Sequence, residues 1–310
     1  MVNKIPVGGT IAHAYRFTFG NIFNNFGAIW VPVLLLWVLS YFLFAPYRDQ
    51  AMRLAASGPQ ALWQAMPAIL IGFVVMFVLV ACQMAALTRE ALGLRSGNAF
   101  LQFPFGAPAW RLLLTYLLFV LAIIAIYIMI FIILLLGGLA LGLFARQLSK
   151  QAALLLVSVG GLTGFVAIFC GMIYIAVRLS FLIAPVAVAE QRITLIRGWL
   201  LTRGNFWRIF VILLSVLVPM LIAEFAYIYA TFGWDFLPPA GMQMNAVAIA
   251  QWQQHQRELV LISTAKMQHY WYVTYPIGLL VALIIYGLFA GISTFAYRAL
   301  VPAFAAEAPT

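Results

Sequence analysis

Between Arg111 and Arg146 the chain runs through thirty-four residues, Leu112 to Ala145, without one charged side chain. As a helix this run is about 51 Å long at 1.5 Å per residue, well over the roughly 30 Å of a bilayer's hydrocarbon core. Backbone amides inside hydrocarbon have no water to bond, so such a run folds as helix. It must tilt, protrude or break. Gly137-Gly138 is the weak point if it breaks, and one long helix is the alternative.

Five further apolar runs accompany it, and the spans are predicted at Phe26 to Phe44, Ala68 to Leu87, Leu112 to Gly138, Ala152 to Val177, Phe210 to Ala230 and Val273 to Leu300. The expected fold is all-α: a single integral membrane domain over 1–310, polytopic, with six transmembrane helices and amphipathic interfacial helices between them. A hydrophobic fraction of 66% against 8% charged residues excludes an ordinary soluble domain, in which about half the residues are apolar.

Charge placement gives the orientation. Of the seventeen Lys and Arg residues, eleven fall in the connections on the side of both termini, from Lys4 and Arg16 to Arg298, and six fall on the other side. The positive-inside rule then places both termini in the cytoplasm. The net charge of +10 is dispersed rather than gathered into a tract, which points to anionic membrane lipid rather than nucleic acid as the partner. No cleavable signal peptide is expected, because the first apolar run is followed by Ala-Pro-Tyr-Arg without a small-x-small site. Cys82 and Cys170 both lie inside apolar runs and read as free, buried thiols.

The connections on the outer side are richer. The first could hold short surface helices around Gln50 to Ala56 and Gln60 to Met66. The last, about 231–272, is long enough for an interfacial helix of about four turns, with Trp252, Tyr270, Trp271 and Tyr272 at headgroup level.

An internal echo runs through the chain at an offset of 184, where AHAYRFTFGNIFNNF stands beside IRGWLLTRGNFWRIF. Thr18, Gly20, Asn21 and Phe26 meet Thr202, Gly204, Asn205 and Phe210, and Tyr15 meets Trp199. Trp110-Arg111 meets Trp207-Arg208 at an offset of 97. The inward-returning spans also end alike, with Arg178, Pro185 and Glu190 in one and Arg298, Pro302 and Glu307 in the other. These echoes suggest three repeated hairpins, each opened by a short amphipathic helix along the cytoplasmic interface or by a simple polar collar. Gly20 and Gly204 are expected to end those helices, and Asn21 and Asn205 to cap the spans that follow.

Motifs that carry chemistry are sparse. There is no phosphate-binding loop, dinucleotide fingerprint, nucleophile elbow or zinc-type histidine pair, so neither an enzyme nor a cofactor is expected. His13 is assigned to one face of the membrane and His255 and His269 to the other, and no metal site is expected. Gly160 and Gly164 have the small-xxx-small spacing that lets another helix approach closely. Glu224 is the single acid inside a predicted span, with Met220, Tyr227 and Ile228 on its helical face. It is a candidate for transport or proton relay, for a structural hydrogen bond, or for an interfacial position.

The richest charged stretch is RLSFLIAPVAVAEQRITLIRGWLLTRGNFWR, Arg178 to Arg208. Its Arg178, Pro185, Glu190, Trp199, Thr202, Gly204, Asn205 and Arg208 resemble a pattern in uncharacterised bacterial integral membrane proteins related to the membrane domain of glycerophosphoryl diester phosphodiesterases. The resemblance implies an inner-membrane location and a link to lipid or membrane homeostasis. The soluble catalytic barrel of those phosphodiesterases has no counterpart in this sequence, so hydrolysis is not implied. Arg178, Arg197, Arg203 and Arg208 are the candidate contacts to lipid phosphate or to a protein partner. Three readings follow: a non-enzymatic, lipid-interacting membrane protein; a small-solute or lipid transporter built around Glu224; and an accessory subunit or homo-oligomer joined through Gly160 and Gly164.

Overall fold

The computed structural model describes residues 3–39, 59–94, 106–145, 149–232 and 245–301. They form α1 (Val7–Gly20), α2 (Ile22–Leu39), α3 (Pro59–Ala91), α4 (Ala107–Ala145), α5 (Lys150–Ser180), α6 (Ile183–Ala189), α7 (Ile196–Leu201), α8 (Phe206–Phe232), α9 (Ala246–His269) and α10 (Trp271–Leu300). No strand occurs among the described residues. Among the described residues, six stretches are long and apolar enough to cross a membrane: Ile22–Leu39, Leu70–Ala91, Ala107–Phe144, Ser158–Ala189, Phe206–Ala226 and Tyr275–Leu300. The chain is an all-α, multi-pass membrane protein.

Helix ends differ from the sequence reading in instructive ways. The uncharged run is one unbroken helix, α4, with Gly137 and Gly138 inside it and nothing within 4 Å of a Cβ added at either. Within a helix the backbone is already satisfied, so glycine alone does not break it. Gln60 to Met66 belongs to the first turns of α3 rather than to a separate surface helix, while Gln50 to Ala56 lies outside the described residues. In the last connection α9 runs for 24 residues, longer than the four turns expected, and passes to α10 through the single residue Tyr270. α3 stops at Gly93, whose φ of 68° is left-handed and lets Leu94 N–H donate to Arg89 O at 2.9 Å, closing the helix end.

The last helix organises the bundle: α10 touches α1, α2, α3, α6 and α8. Buried side chains collect at the end of the bundle that holds Ile5, Leu87, Leu92, Leu182, Ile209, Ile292 and Tyr297. This is the packed end. At the far end, large apolar side chains of α4 from Leu121 to Phe144, of α5 from Val159 to Phe169 and of α8 from Leu217 to Tyr229 are exposed. Cys82 is buried as expected, but Cys170 lies on the exposed surface of α5.

α1, expected as an amphipathic helix along the cytoplasmic interface or as a simple polar collar, runs antiparallel beside the last turns of α10. Asn3 donates to Leu300 O, His13 stacks on Phe295 at 4.7 Å, and Ala14 and Thr18 fit against Gly291 and Gly287. A Cβ on Gly291 would come within 2.8 Å of Ala14 Cα, and one on Gly287 within 3.0 Å of Thr18. Here two small-xxx-small faces meet, which lets the helices approach closely where burial of large side chains could not.

The offset of 184 coincides with helix boundaries. α2 begins at Ile22 and α8 at Phe206, each after a break that follows a shorter helix. Thr18 and Thr202 are both fully buried, and each hydroxyl donates to the carbonyl four residues earlier, Ala14 O and Gly198 O. Phe23, Trp110 and Trp207, related by the two offsets, are exposed aromatics in the opening turns of their spans. The breaks themselves diverge. Gly204 has the left-handed φ of 76° expected of a helix-ending glycine, whereas Gly20 remains helical. Asn21 is exposed, and it is Asn25 whose Nδ2 donates to the carbonyls of Phe17 and Thr18 beside the break. Pro302 and Glu307, the second half of the other echo, lie outside the described residues.

Candidate functional site

Three short elements, the extended segment 3–6, α6 and α7, close the packed end. Asn205 stands where a helix-capping residue would, with its carbonyl accepting from Ile209 N–H at the start of α8. Its side chain does not cap. The carboxamide accepts from Ile5 N–H at 3.1 Å and donates to Asn3 O at 2.9 Å, while Arg208 donates to Ile5 O at 2.8 Å. Two side chains, one just before α8 and one in its first turn, thus satisfy the backbone of the N-terminal segment as a neighbouring strand would, and Ile5 is fully buried there.

Arg178, in the last turn of α5, is buried. Its guanidinium donates to Thr202 Oγ1 at 3.3 Å, to Tyr174 Oη at 2.8 Å and to Trp199 O at 2.6 Å. It also lies over the Trp199 ring at 3.8 Å and the Tyr174 ring at 5.4 Å. Arg178 is a candidate contact to lipid phosphate or to a protein partner, and its donors are turned inward, where they tie α5 to α7 and to the turn before α8.

α6 is apolar on every side, and residues 181–188 are all buried. Pro185 is its third residue, where the missing N–H has no intrahelical partner to lose. At its end Glu190 accepts from Tyr297 Oη at 3.2 Å and pairs with Arg197 Nε at 3.0 Å. The next residue, Gln191, has a φ of 54°, left-handed for a residue with a side chain, and accepts from Arg111 Nη1 at 3.4 Å. Between this bend and α7 lies an open depression of about 560 Å³, lined by Glu190, Arg192, Ile193, Thr194, Ile196, Arg197 and Leu200.

The outward surface beside that depression is mixed. Ile196 is 71% exposed, Leu200 55% and Trp207 72%, while Arg192, Arg197 and Arg203 are exposed among them. Ile196 and Leu200 stand four residues apart on one face of α7, so they form a single apolar ridge with cations at its edges.

The remaining candidates are not gathered here. Glu224 is exposed on the far half of α8 between exposed Leu221, Ile222 and Phe225; the side chains of Tyr227 and Ile228 lie outside the described ones. A Cβ on Gly160 or Gly164 meets nothing within 4 Å, so the expected close helix contact does not form there within this chain. His255 and His269 are exposed, and no three His, Cys, Asp or Glu residues among the described ones are grouped to hold a metal ion.

Several residues at the packed end went unread in the sequence. Tyr297 is buried against Glu190 from a distance of 107 residues, which no local pattern announces. Gln83 is fully buried in α3, and neither its amide nitrogen nor its oxygen has a hydrogen-bond partner among the described residues. A polar residue in the apolar run Ala68 to Leu87 was a visible signal. No protein-family model, no curated protein and no solved structure matches the chain.

Proposed function

We propose that this chain is a non-enzymatic protein of the bacterial inner membrane, with both termini cytoplasmic, whose packed end engages anionic lipid. One observation carries the reading: the ridge of Ile196, Leu200 and Trp207 lies open beside Arg192 and Arg203, rather than against the bundle. An apolar ridge flanked by cations is the form that binds a membrane interface, with side chains in the acyl boundary and each cation worth about 1 kcal/mol in an anionic leaflet. The excess of Lys and Arg on the side of the termini supports the orientation. The resemblance of Arg178 to Arg208 to the membrane domain of glycerophosphoryl diester phosphodiesterases is in keeping with a lipid role.

Native mass spectrometry from mild detergent tests the reading. Stoichiometric anionic phospholipid should be retained, and Arg203→Gln should lower the retained fraction about five-fold, the equivalent of one cation near the surface. Purified protein that carries no lipid, with an unchanged spectrum for the variant, would overturn it.

A further inference from the structure

We propose that the depression between Gln191 and α7 is a specific site for the phosphodiester headgroup of a singly charged anionic phospholipid. This inference rests on the lipid reading above and names the site and the class of lipid. The walls have the chemistry of such a molecule: Arg192 and Arg197 offer guanidinium donors, and Ile193, Ile196 and Leu200 offer an apolar rim that runs towards the span opening at Phe206.

The inference is sharpened by Glu190. Its two oxygens take the Nε–H of Arg197 at 3.0 and 3.2 Å, and no hydrogen bond forms from the Arg197 amino groups among the described residues. The carboxylate holds the side chain in place and leaves those amino groups as donors for a further acceptor, and Tyr297 in turn holds the carboxylate. Two guanidinium groups and one carboxylate leave a net charge of one positive unit in the depression. A phosphodiester, with one negative charge, matches it. A phosphate monoester approaching two negative charges gains at most twice the attraction from that single unit, while the cost of stripping its water grows as the square of its charge. The left-handed Gln191, tied to Arg111, sets the bend that turns Arg192 to the same side as α7. Non-glycine residues in that conformation persist where the surroundings hold them, and such positions gather at ligand sites.

The experiment uses the full chain in phosphatidylcholine nanodiscs containing either phosphatidylglycerol or phosphatidic acid, with retained lipid counted by native mass spectrometry. Wild type should enrich phosphatidylglycerol over phosphatidylcholine and over phosphatidic acid. Arg192→Ala and Arg197→Ala should each lower that enrichment about five-fold. Glu190→Gln, which keeps an acceptor for Tyr297, should raise phosphatidic acid retention several-fold and so erase the preference. Thermal midpoints identify any variant that has lost its fold, and Ile196→Ser, which leaves every charge in place, then serves as the second probe and should also lower retention. Enrichment unchanged in both arginine variants while wild type still retains anionic lipid would overturn this site and leave the broader reading intact. Wild type without anionic lipid would sink the broader reading itself. Equal binding of water-soluble glycerophosphoglycerol and of the whole lipid would overturn the membrane lipid as the occupant.

Discussion

Arg178 sits buried on two ring faces, a phenol, a threonine hydroxyl and a backbone carbonyl. A planar, forked cation can meet all of these at once, and an ammonium cannot. Arg178→Lys is therefore expected to cost about 2 kcal/mol or more, since a hydrogen bond to a charged group is worth about 1.5–3 kcal/mol, read as a lower thermal midpoint in detergent. Half of this nest was legible, because Tyr174 stands four residues before Arg178 on one helix face. Trp199 and Thr202 reach it only through the fold. His13 makes a second prediction. Burial, then the charges of Arg298 and Arg16, hold its imidazole below the ordinary value of 6.5. Above pH 6.5 it is neutral in both folded and unfolded chains. As the pH falls below that value the unfolded chain takes up a proton that the folded chain resists, so stability declines until the lower folded value is passed. The thermal midpoint should drop between pH 7.5 and 5, and His13→Phe, which keeps a ring against Phe295, should flatten that drop. Gln83 supplies the third: removing an unpaired buried amide at nearly constant volume, as in Gln83→Met, should raise stability by about 1–2 kcal/mol. A lower midpoint for this variant would mean that the amide is satisfied in the membrane-embedded protein.

Between elements, the decisive contact is that of α1 with α10. Gly291→Leu places side-chain atoms where Ala14 Cα stands and is expected to cost about 1–3 kcal/mol or to part the helices, whereas Gly164→Leu should leave the stability within about 0.5 kcal/mol of wild type, both read from thermal unfolding in detergent. The sequence contains the small-xxx-small spacing at both Gly160/Gly164 and Gly287/Gly291, so spacing alone could not choose between them. What selects the second pair is a facing helix with small residues of its own at the same spacing, Ala14 and Thr18, and that juxtaposition exists only once the chain has closed from end to end. The echo at an offset of 184 was legible because it lies in local break chemistry. The fate of each break was not, because Asn205 is claimed by residues 3–5, some two hundred positions away. A short helix precedes the first span and another the fifth, and each packs on a later or earlier span: α7 on α5, and α1 on α10.

Over the whole molecule, the long uncharged runs were sufficient for class and span number, because hydrocarbon leaves a helix as the only way to satisfy the backbone. They could not show that the bundle is tight at one end and spread at the other. That asymmetry comes from small and polar residues, among them Thr10, Ala14, Thr18, Ala85, Ala86 and Thr88, gathering in space at the packed end. It places the exposed, mixed surface of α7 beside a rigid base, with Arg178 and Glu190 holding it on two sides. The proposed lipid role requires this surface to lie in the membrane interface. Spin labels at Ile196→Cys and Leu200→Cys, with the exposed Cys170 replaced by Ser, report its depth by power saturation in anionic nanodiscs. Both labels should collide with oxygen more than with a water-soluble nickel chelate, at a depth just below the phosphates. Labels that collide chiefly with the chelate, as a water-exposed loop does, would contradict it.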